Sequence, residues 1–170
     1  MKKLILFTFL ISYSISAQNL YKGFNVGMTK KEAKSEFKKN KNQYIAAKLG
    51  SYEYRLYTQN NVYDDGGLTM IRFTPKGYGL GMMPEDAKLY FTDMIRLLEN
   101  TGFSADGTNV NSGRYKEFKV GNNYVFHNKE KGKSIYLAVV AYGKNSVILN
   151  VMVGKFSDTA ETDYSDDNSF

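Results

Sequence analysis

The chain contains few of the side chains that usually carry catalysis. It has no cysteine and a single histidine, His127. A catalytic triad of serine, histidine and aspartate would have to use His127, but no Gly-x-Ser-x-Gly nucleophile motif accompanies it. Zinc sites are built mainly from several cysteine and histidine ligands, so a site of that kind is excluded. The sequence therefore predicts a protein that is not an enzyme, with no catalytic residue, no metal site and no cofactor.

Two short motifs resemble ligand sites, and each has a plainer structural interpretation. Residues 64–67 (Asp-Asp-Gly-Gly) lack the alternating acids of a calcium loop, so we expect a turn between strands. The glycine-rich residues 77–81 lack the Lys-Ser/Thr end of a phosphate-binding loop, so we expect a flexible loop. An enzyme that uses carboxylates such as Asp64 and Asp86 is the least favoured alternative, because it needs a shaped pocket.

Lysines and tyrosines are the candidate binding residues. Those that we expect to contact a partner are Lys31, Lys34, Lys38, Tyr52, Tyr54 and Tyr57. The chain carries a net charge of +6, and residues 157–170 contain five acids and no base, so the region before them is more basic still. A basic surface favours anionic partners, and tyrosine is favoured at interfaces. The alternatives are a solvated lysine surface and tyrosines that simply pack on helices.

The first 17 residues have the three parts of a secretory signal peptide. Lys2 and Lys3 are followed by residues 4–11, which are apolar except for Thr8, and then by a moderately polar stretch that ends in the small residues Ser16 and Ala17. The apolar stretch is too short to span a bilayer, which needs about 20 residues. We therefore expect export to the periplasm or the outside of a diderm bacterium, with no transmembrane span after removal of the signal peptide.

The remaining sequence predicts an α+β fold in which two helices pack on an antiparallel sheet. Thr29 and Glu32 form a capping box that starts a helix ending near residue 39, and Pro84 starts a more apolar helix that stops at Gly102. We expect strands at residues 52–58, 68–74, 115–120, 124–128, 134–142 and 147–153. The strand at 134–142 is nearly all apolar, so we expect both of its faces to be covered.

The expected organisation is one domain over residues 18–156, followed by an acidic disordered tail at 157–170. Residues 27–37 align without gaps on residues 81–91. This internal similarity indicates a duplication, with repeats at 24–76 and 78–156. Convergence is the alternative, because capped amphipathic helices draw on a small set of residue types.

The start of the first helix also resembles a known family. The sequence Gly27-Met28-Thr29-x-x-Glu32-Ala33 is similar to the helix start of the SmpA/OmlA and β-lactamase-inhibitor-protein-like envelope modules. The resemblance implies a small exported module of helix plus antiparallel sheet that binds other proteins. The family's helix often ends in Leu-Gly-x-Pro, whereas Lys-Asn-Lys-Asn stands at residues 39–42. The resemblance transfers no site residue.

These patterns favour a non-enzymatic binding module of the bacterial cell envelope. Its expected partner is another envelope protein or an anionic envelope surface, and not nucleic acid. The alternative is a carrier that holds a small apolar ligand between the sheet and the second helix, beneath the glycine-rich loop. An exposed aromatic strand face would favour the module, and a closed internal cavity would favour the carrier.

We predict that the exported protein begins within residues 16–18, because the small residues before Gln18 suit a signal peptidase. N-terminal sequencing of the protein recovered from the envelope tests this expectation. A mature chain that still begins with Met1 would contradict it.

Overall fold

The structure is a computed structural model that describes residues 18–78, 81–105 and 114–156. Its helices are α1 (Lys30–Lys39), α2 (Lys41–Ile45) and α3 (Pro84–Asn100). Its strands are β1 (Asn19–Tyr21), β2 (Phe24–Asn25), β3 (Ala47–Leu49), β4 (Tyr52–Leu56), β5 (Val62–Asp64), β6 (Gly67–Pro75), β7 (Ser104–Ala105), β8 (Asn123–Asn128), β9 (Lys133–Tyr142) and β10 (Ser146–Lys155). The predicted signal peptide and acidic tail lie outside the described residues.

Eight strands form one antiparallel sheet in the order β3-β4-β6-β10-β9-β8-β7, and β5 pairs with the first part of β6. The short strands β1 and β2 form a separate hairpin. The predicted α+β class with an antiparallel sheet is therefore confirmed. The long strands β9 and β10 pair along their whole length at the centre of the sheet, because their apolar residues need cover from neighbours on both sides.

The helices pack on one face of the sheet. Residues of β10 alternate, so that Val147, Leu149, Val151 and Val153 point to this face and are buried. No helix of the described residues lies on the opposite face, where Val140 and Tyr142 of β9 are 44% and 47% exposed. The expectation that both faces of residues 134–142 are covered is therefore wrong at the last three positions.

The predicted capping box at the start of α1 is confirmed. The Thr29 hydroxyl accepts the N–H of Glu32 at 3.3 Å, and the Glu32 carboxylate accepts the N–H of Thr29 at 2.8 Å. The backbone N–H of Thr29, and then its hydroxyl, donate to the Glu32 carboxylate and hold the pKa of Glu32 below its usual value. The second predicted helix is α3, which begins at Pro84 and is followed by Gly102 in the left-handed region, with φ of 78°.

Some local assignments from the sequence are wrong. Helix α2 was not expected, since its five residues are too few to show a helical period, and burial of Tyr44 holds it in place. Residues 115–120 do not form a strand, because Arg114–Lys116 is a short 3-10 helix and the chain then runs irregularly to β8. In the part of the chain that the structure describes, no helix combines the length and the apolar character needed to cross a bilayer.

The two halves of the chain make matching backbone bonds. Before α1, Met28 accepts the N–H of Leu68, the second residue of β6, at 2.8 Å. Before α3, Met82 and Val147, the second residue of β10, exchange two hydrogen bonds of 2.9 Å. The last strand of each half, β6 or β10, lies at the middle of the sheet and pairs with the other. These correspondences support the predicted duplication, which stays a prediction.

We predict that Thr29→Ala lowers the free energy of unfolding by about 1 kcal/mol, the usual effect of removing an N-cap side chain. Thr29→Ser keeps the hydroxyl and should lose much less. Urea denaturation followed by circular dichroism measures both variants. Equal midpoints for the alanine variant and the wild type would show that the capping box does not stabilise α1.

Candidate functional site

The exposed side of α1 carries a concentration of positive charge. The lysine ridge, which we define as Lys30, Lys31, Lys34 and Lys38, is exposed and lines a shallow groove of about 560 Å³. Among the described residues, the ion pairs are Lys76–Glu53, Arg96–Asp93 and Lys116–Glu99, and none involves the ridge. The ridge therefore offers several ammonium groups to an anion without first breaking an ion pair.

The opposite side of α1 packs against the core, and these contacts orient the helix so that the lysine ridge faces solvent. The Phe37 ring stacks on the buried ring of Tyr44 at 5.9 Å between centroids, and the Tyr44 hydroxyl donates to Glu36 at 2.5 Å. Burial, with this bond, raises the pKa of Tyr44 to about 12, so the hydroxyl remains a donor at neutral pH. A side chain at Gly23, in the β1–β2 turn, would overlap the Glu36 carboxylate. The Gly23 N–H also donates to the Tyr44 hydroxyl at 3.4 Å, so the hairpin and the two helices meet at the Tyr44–Glu36 pair.

The tyrosines expected to share a surface with the lysines are placed elsewhere. Tyr54 is fully buried, and its hydroxyl has no hydrogen-bond partner among the described residues. The Tyr52 ring stacks on the ring of Tyr90 in α3, with 3.9 Å between centroids. The side chains of Tyr52 and Tyr54 therefore both pack beneath α3. Tyr57 follows β4 on the side of Arg55, whose guanidinium lies 5.2 Å from its ring. The structure thus keeps Lys31, Lys34 and Lys38 together but does not add Tyr52 and Tyr54 to them as an exposed surface.

A buried carboxylate, Asp93, fastens the β3–β4 turn to α3. It accepts the backbone N–H of Ser51 at 2.7 Å and the Ser51 hydroxyl at 3.0 Å, and it pairs with Arg96. Burial acts to raise the pKa of Asp93, but the bonds from Ser51 and Arg96 outweigh it, so the pKa lies below its usual value. Gly50 is in the left-handed region, and a side chain there would overlap this carboxylate.

Asp93 is not among the residues expected from the sequence to be important, although its position in the apolar pattern of α3 is a signal. It occupies a helical position next to apolar residues that are buried, namely Phe91, Met94 and Ile95. A charged residue within such an apolar period indicates a buried bond, because an ionised carboxylate is seldom buried without partners.

His127 is placed beside a serine without forming an accessible nucleophile. Its Nδ1 lies 2.7 Å from the Ser134 hydroxyl, across the β8–β9 pair. Ser134 is fully buried, so a substrate cannot reach it in this structure. Within the described ranges, no group of three or more histidine and acidic side chains is arranged to hold a metal ion.

A second feature is an apolar cleft between the C-terminal half of α3 and the sheet. This α3 cleft has a volume of about 240 Å³, and its walls include Leu20, Met94, Leu97, Leu98, Ile135 and Val153. The charged residues in its lining are Lys131 and Lys133. Near the glycine-rich loop, where a carrier was expected to hold its ligand, the gap beside Tyr78 and Met82 measures about 10 Å³. That gap has room for about one water molecule.

Comparison of the chain with protein-family models, with curated proteins and with solved structures found no significant match. The function therefore has to be argued from the surfaces of this chain, since a fold alone does not define a function.

We predict that Asp93→Asn lowers the free energy of unfolding by about 1–3 kcal/mol at pH 7, because buried donors lose a charged acceptor. The folded-state pKa of Asp93 is lowered, so its contribution is present above the unfolded value of about 3.9 and disappears as the pH falls through the folded value. The difference between the variant and the wild type should therefore shrink in acid.

Urea denaturation at pH 7 and pH 3 measures this difference. Glu117→Gln, at an exposed position, serves as the matched control and should change stability little at either pH. A stability loss for Asp93→Asn that is the same at both pH values would show that the ionised carboxylate is not the stabilising group.

Proposed function

We propose that the protein is a non-enzymatic binding module of the bacterial envelope that docks on an anionic surface through the lysine ridge. The observation that carries the proposal is the exposure of four lysines on one helix, with no ion pair to any described acid. Export rests on the signal-peptide pattern of residues 1–17.

The composition of the ridge favours a phosphate-rich surface over a specific protein partner. Tight protein interfaces depend on aromatic or arginine anchors buried at their centre. Here the apolar residues of α1 face the core, with Ala33 fully buried and Phe37 stacked on Tyr44. Tyr52 and Tyr54, the anchors expected from the sequence, pack beneath α3. A groove whose charged residues are all lysines suits the headgroups of anionic lipids, which attract each basic residue separately.

The contacts that fix the orientation of α1 also support this proposal. The capping box, the Glu36–Tyr44 bond and the Phe37–Tyr44 stack hold the helix in one orientation. The ridge is therefore organised before any partner arrives, and no ordering of the backbone opposes binding. The side chains themselves remain solvated, so the attraction acts within about a Debye length and is weakened by salt.

We predict that the purified protein binds vesicles containing phosphatidylglycerol and not vesicles of phosphatidylcholine alone. Replacing Lys31, Lys34 and Lys38 together by Glu should weaken this binding at least tenfold, because each lysine contributes separately to the attraction. Raising the salt concentration from 50 to 500 mM should weaken the wild-type binding in the same direction. Vesicle co-sedimentation measures both effects.

A matched control separates the position of the lysines from the net charge. Lys88, Lys119 and Lys144 are also exposed, and their joint replacement by Glu changes the net charge equally. This control should keep most of the binding. If both triple variants lose binding to the same extent, net charge and not the lysine ridge is responsible. Binding to neither kind of vesicle would overturn the proposal.

A further inference from the structure

The α3 cleft combines an apolar interior with a charged edge. Its walls come from three layers: Leu20 from β1, the side of α3 around Leu97, and the inner face of β9 and β10 around Ile135. Lys131 is exposed and Lys133 is half-buried, so the charged residues stand where the cleft meets solvent. The result is the distribution of polarity that an amphiphilic molecule needs.

Lys133 is a partly buried cation that has no partner among the described residues. Its ammonium group makes no hydrogen bond or ion pair with any described residue, and burial together with the charge of Lys131 lowers its pKa. Lys155 lies directly opposite Lys133 in the β9–β10 pair. Like charges in opposite positions of two strands destabilise the sheet. An anion bound at this edge would relieve that repulsion and satisfy the donors of Lys133.

Lys131 has a structural role that differs from that of Lys133. Its ammonium group donates to the carbonyl oxygen of Thr101 at 2.6 Å and lies 5.4 Å from the centre of the Phe103 ring. It thereby stabilises the carbonyl end of α3. Since an ammonium group has three donors, Lys131 can keep this bond and still contact an anion.

We propose that the α3 cleft binds a medium-chain fatty acid, with the acyl chain between α3 and the sheet and the carboxylate on Lys133 and Lys131. Charge complementarity selects the ligand class: the walls are apolar, the edge is cationic, and no described acid neutralises it. The site is separate from the lysine ridge, so the inference does not depend on the proposed docking of the protein on an anionic surface.

The size of the cleft selects a single chain. Pockets for drug-sized ligands measure about 300–1,000 Å³, and the α3 cleft, at about 240 Å³, lies just below that range. A phospholipid with two acyl chains is therefore too large to enter whole. A neutral ligand of the same length would supply no charged acceptor for Lys133.

The test is isothermal titration calorimetry of the purified protein with octanoate, decanoate and decanol below their micelle and solubility limits. Decanoate should bind more tightly than octanoate by about fourfold per added methylene group, the usual effect of burying such a group. Decanoate should also bind at least tenfold more tightly than decanol, because only the carboxylate forms charge-assisted bonds with the lysines. Failure of decanoate to bind, or equal binding of decanol, would overturn the proposal without any variant.

Variants then locate the site. Lys133→Met keeps the length and apolar stem of the side chain, and it should weaken decanoate binding at least tenfold while leaving decanol unaffected. Lys133→Arg should retain binding. The matched control is Lys144→Met, in the exposed turn that follows β9, at the opposite end of that strand from Lys133. Decanoate binding that is the same in Lys133→Met and in the control would place the ligand elsewhere and overturn the assignment.

The lysine ridge and the α3 cleft are distinguished by measuring the variants of each site in the binding assay of the other. Replacement of Lys31, Lys34 and Lys38 by Glu should leave decanoate affinity within about twofold, and Lys133→Met should leave vesicle binding unchanged. Loss of decanoate binding in the ridge variant would show that the fatty acid binds α1 and not the α3 cleft. Each proposal can therefore fail while the other stands.

Discussion

The buried carboxylate of Asp93 is the contact on which the position of α3 over the sheet depends. It holds the β3–β4 turn at Ser51, and the turn can approach so closely only because Gly50 has no side chain. At the other end of the helix, Asn128 donates to the carbonyl oxygen of Gly102 at 2.8 Å, and Lys131 donates to that of Thr101. These bonds at the middle and the C-terminus of α3 oppose sliding and rotation of the helix, which apolar packing alone would tolerate. The tyrosine packing on one side of α3 and the cleft on the other are therefore fixed by the same bonds.

The two halves of the chain have a similar arrangement of helix and last strand, but their helices differ in how much they contribute to the core. In each, a methionine before the helix bonds to the second residue of the last strand, and those last strands, β6 and β10, meet at the centre of the sheet. The two helices have different roles. Helix α3 buries seven residues and supplies most of the helical contribution to the core, whereas α1 buries only Ala33. Because α1 has so little apolar surface to hide, its remaining positions are available for lysines, and its orientation is secured by Glu36 and Tyr44.

Local signals in the sequence predicted the elements that depend on local physics. The capping box at Thr29, the start of α3 at Pro84 and the alternating strands β4 and β10 follow from neighbours within a few residues, and all are present. What failed depends on contacts distant in sequence. The strand expected at 115–120 has suitable residues but gains no partner in the sheet. The alternation of residues in β4 puts Tyr52 and Tyr54 on one face of the sheet, but the sequence of this strand does not show that α3 covers this face. The lysines of α1 could be placed on an exposed helix. A ligand between the sheet and the second helix was also among the expectations, but beneath the glycine-rich loop. The residues that line the α3 cleft could not be predicted, because they come from β1, α3, β9 and β10.

The basic residues of this protein stand in two different electrostatic environments. The lysines of α1 extend into water, where salt screens each charge beyond about 8–10 Å, so they attract an extended anionic surface weakly and additively. Lys133 is half-buried beside apolar walls, with Lys131 and Lys155 close in the structure and no described acid paired with it. Solvent screens the charge of Lys133 less, and burial disfavours its charged form. A single anion in contact with Lys133 therefore has a more favourable interaction energy than one at the exposed surface. The proposed carboxylate site and the proposed docking surface therefore need different environments. A single carboxylate is bound best where lysines are partly shielded from water, as in the cleft, whereas an extended anionic surface is met by lysines that are fully solvated, as on α1.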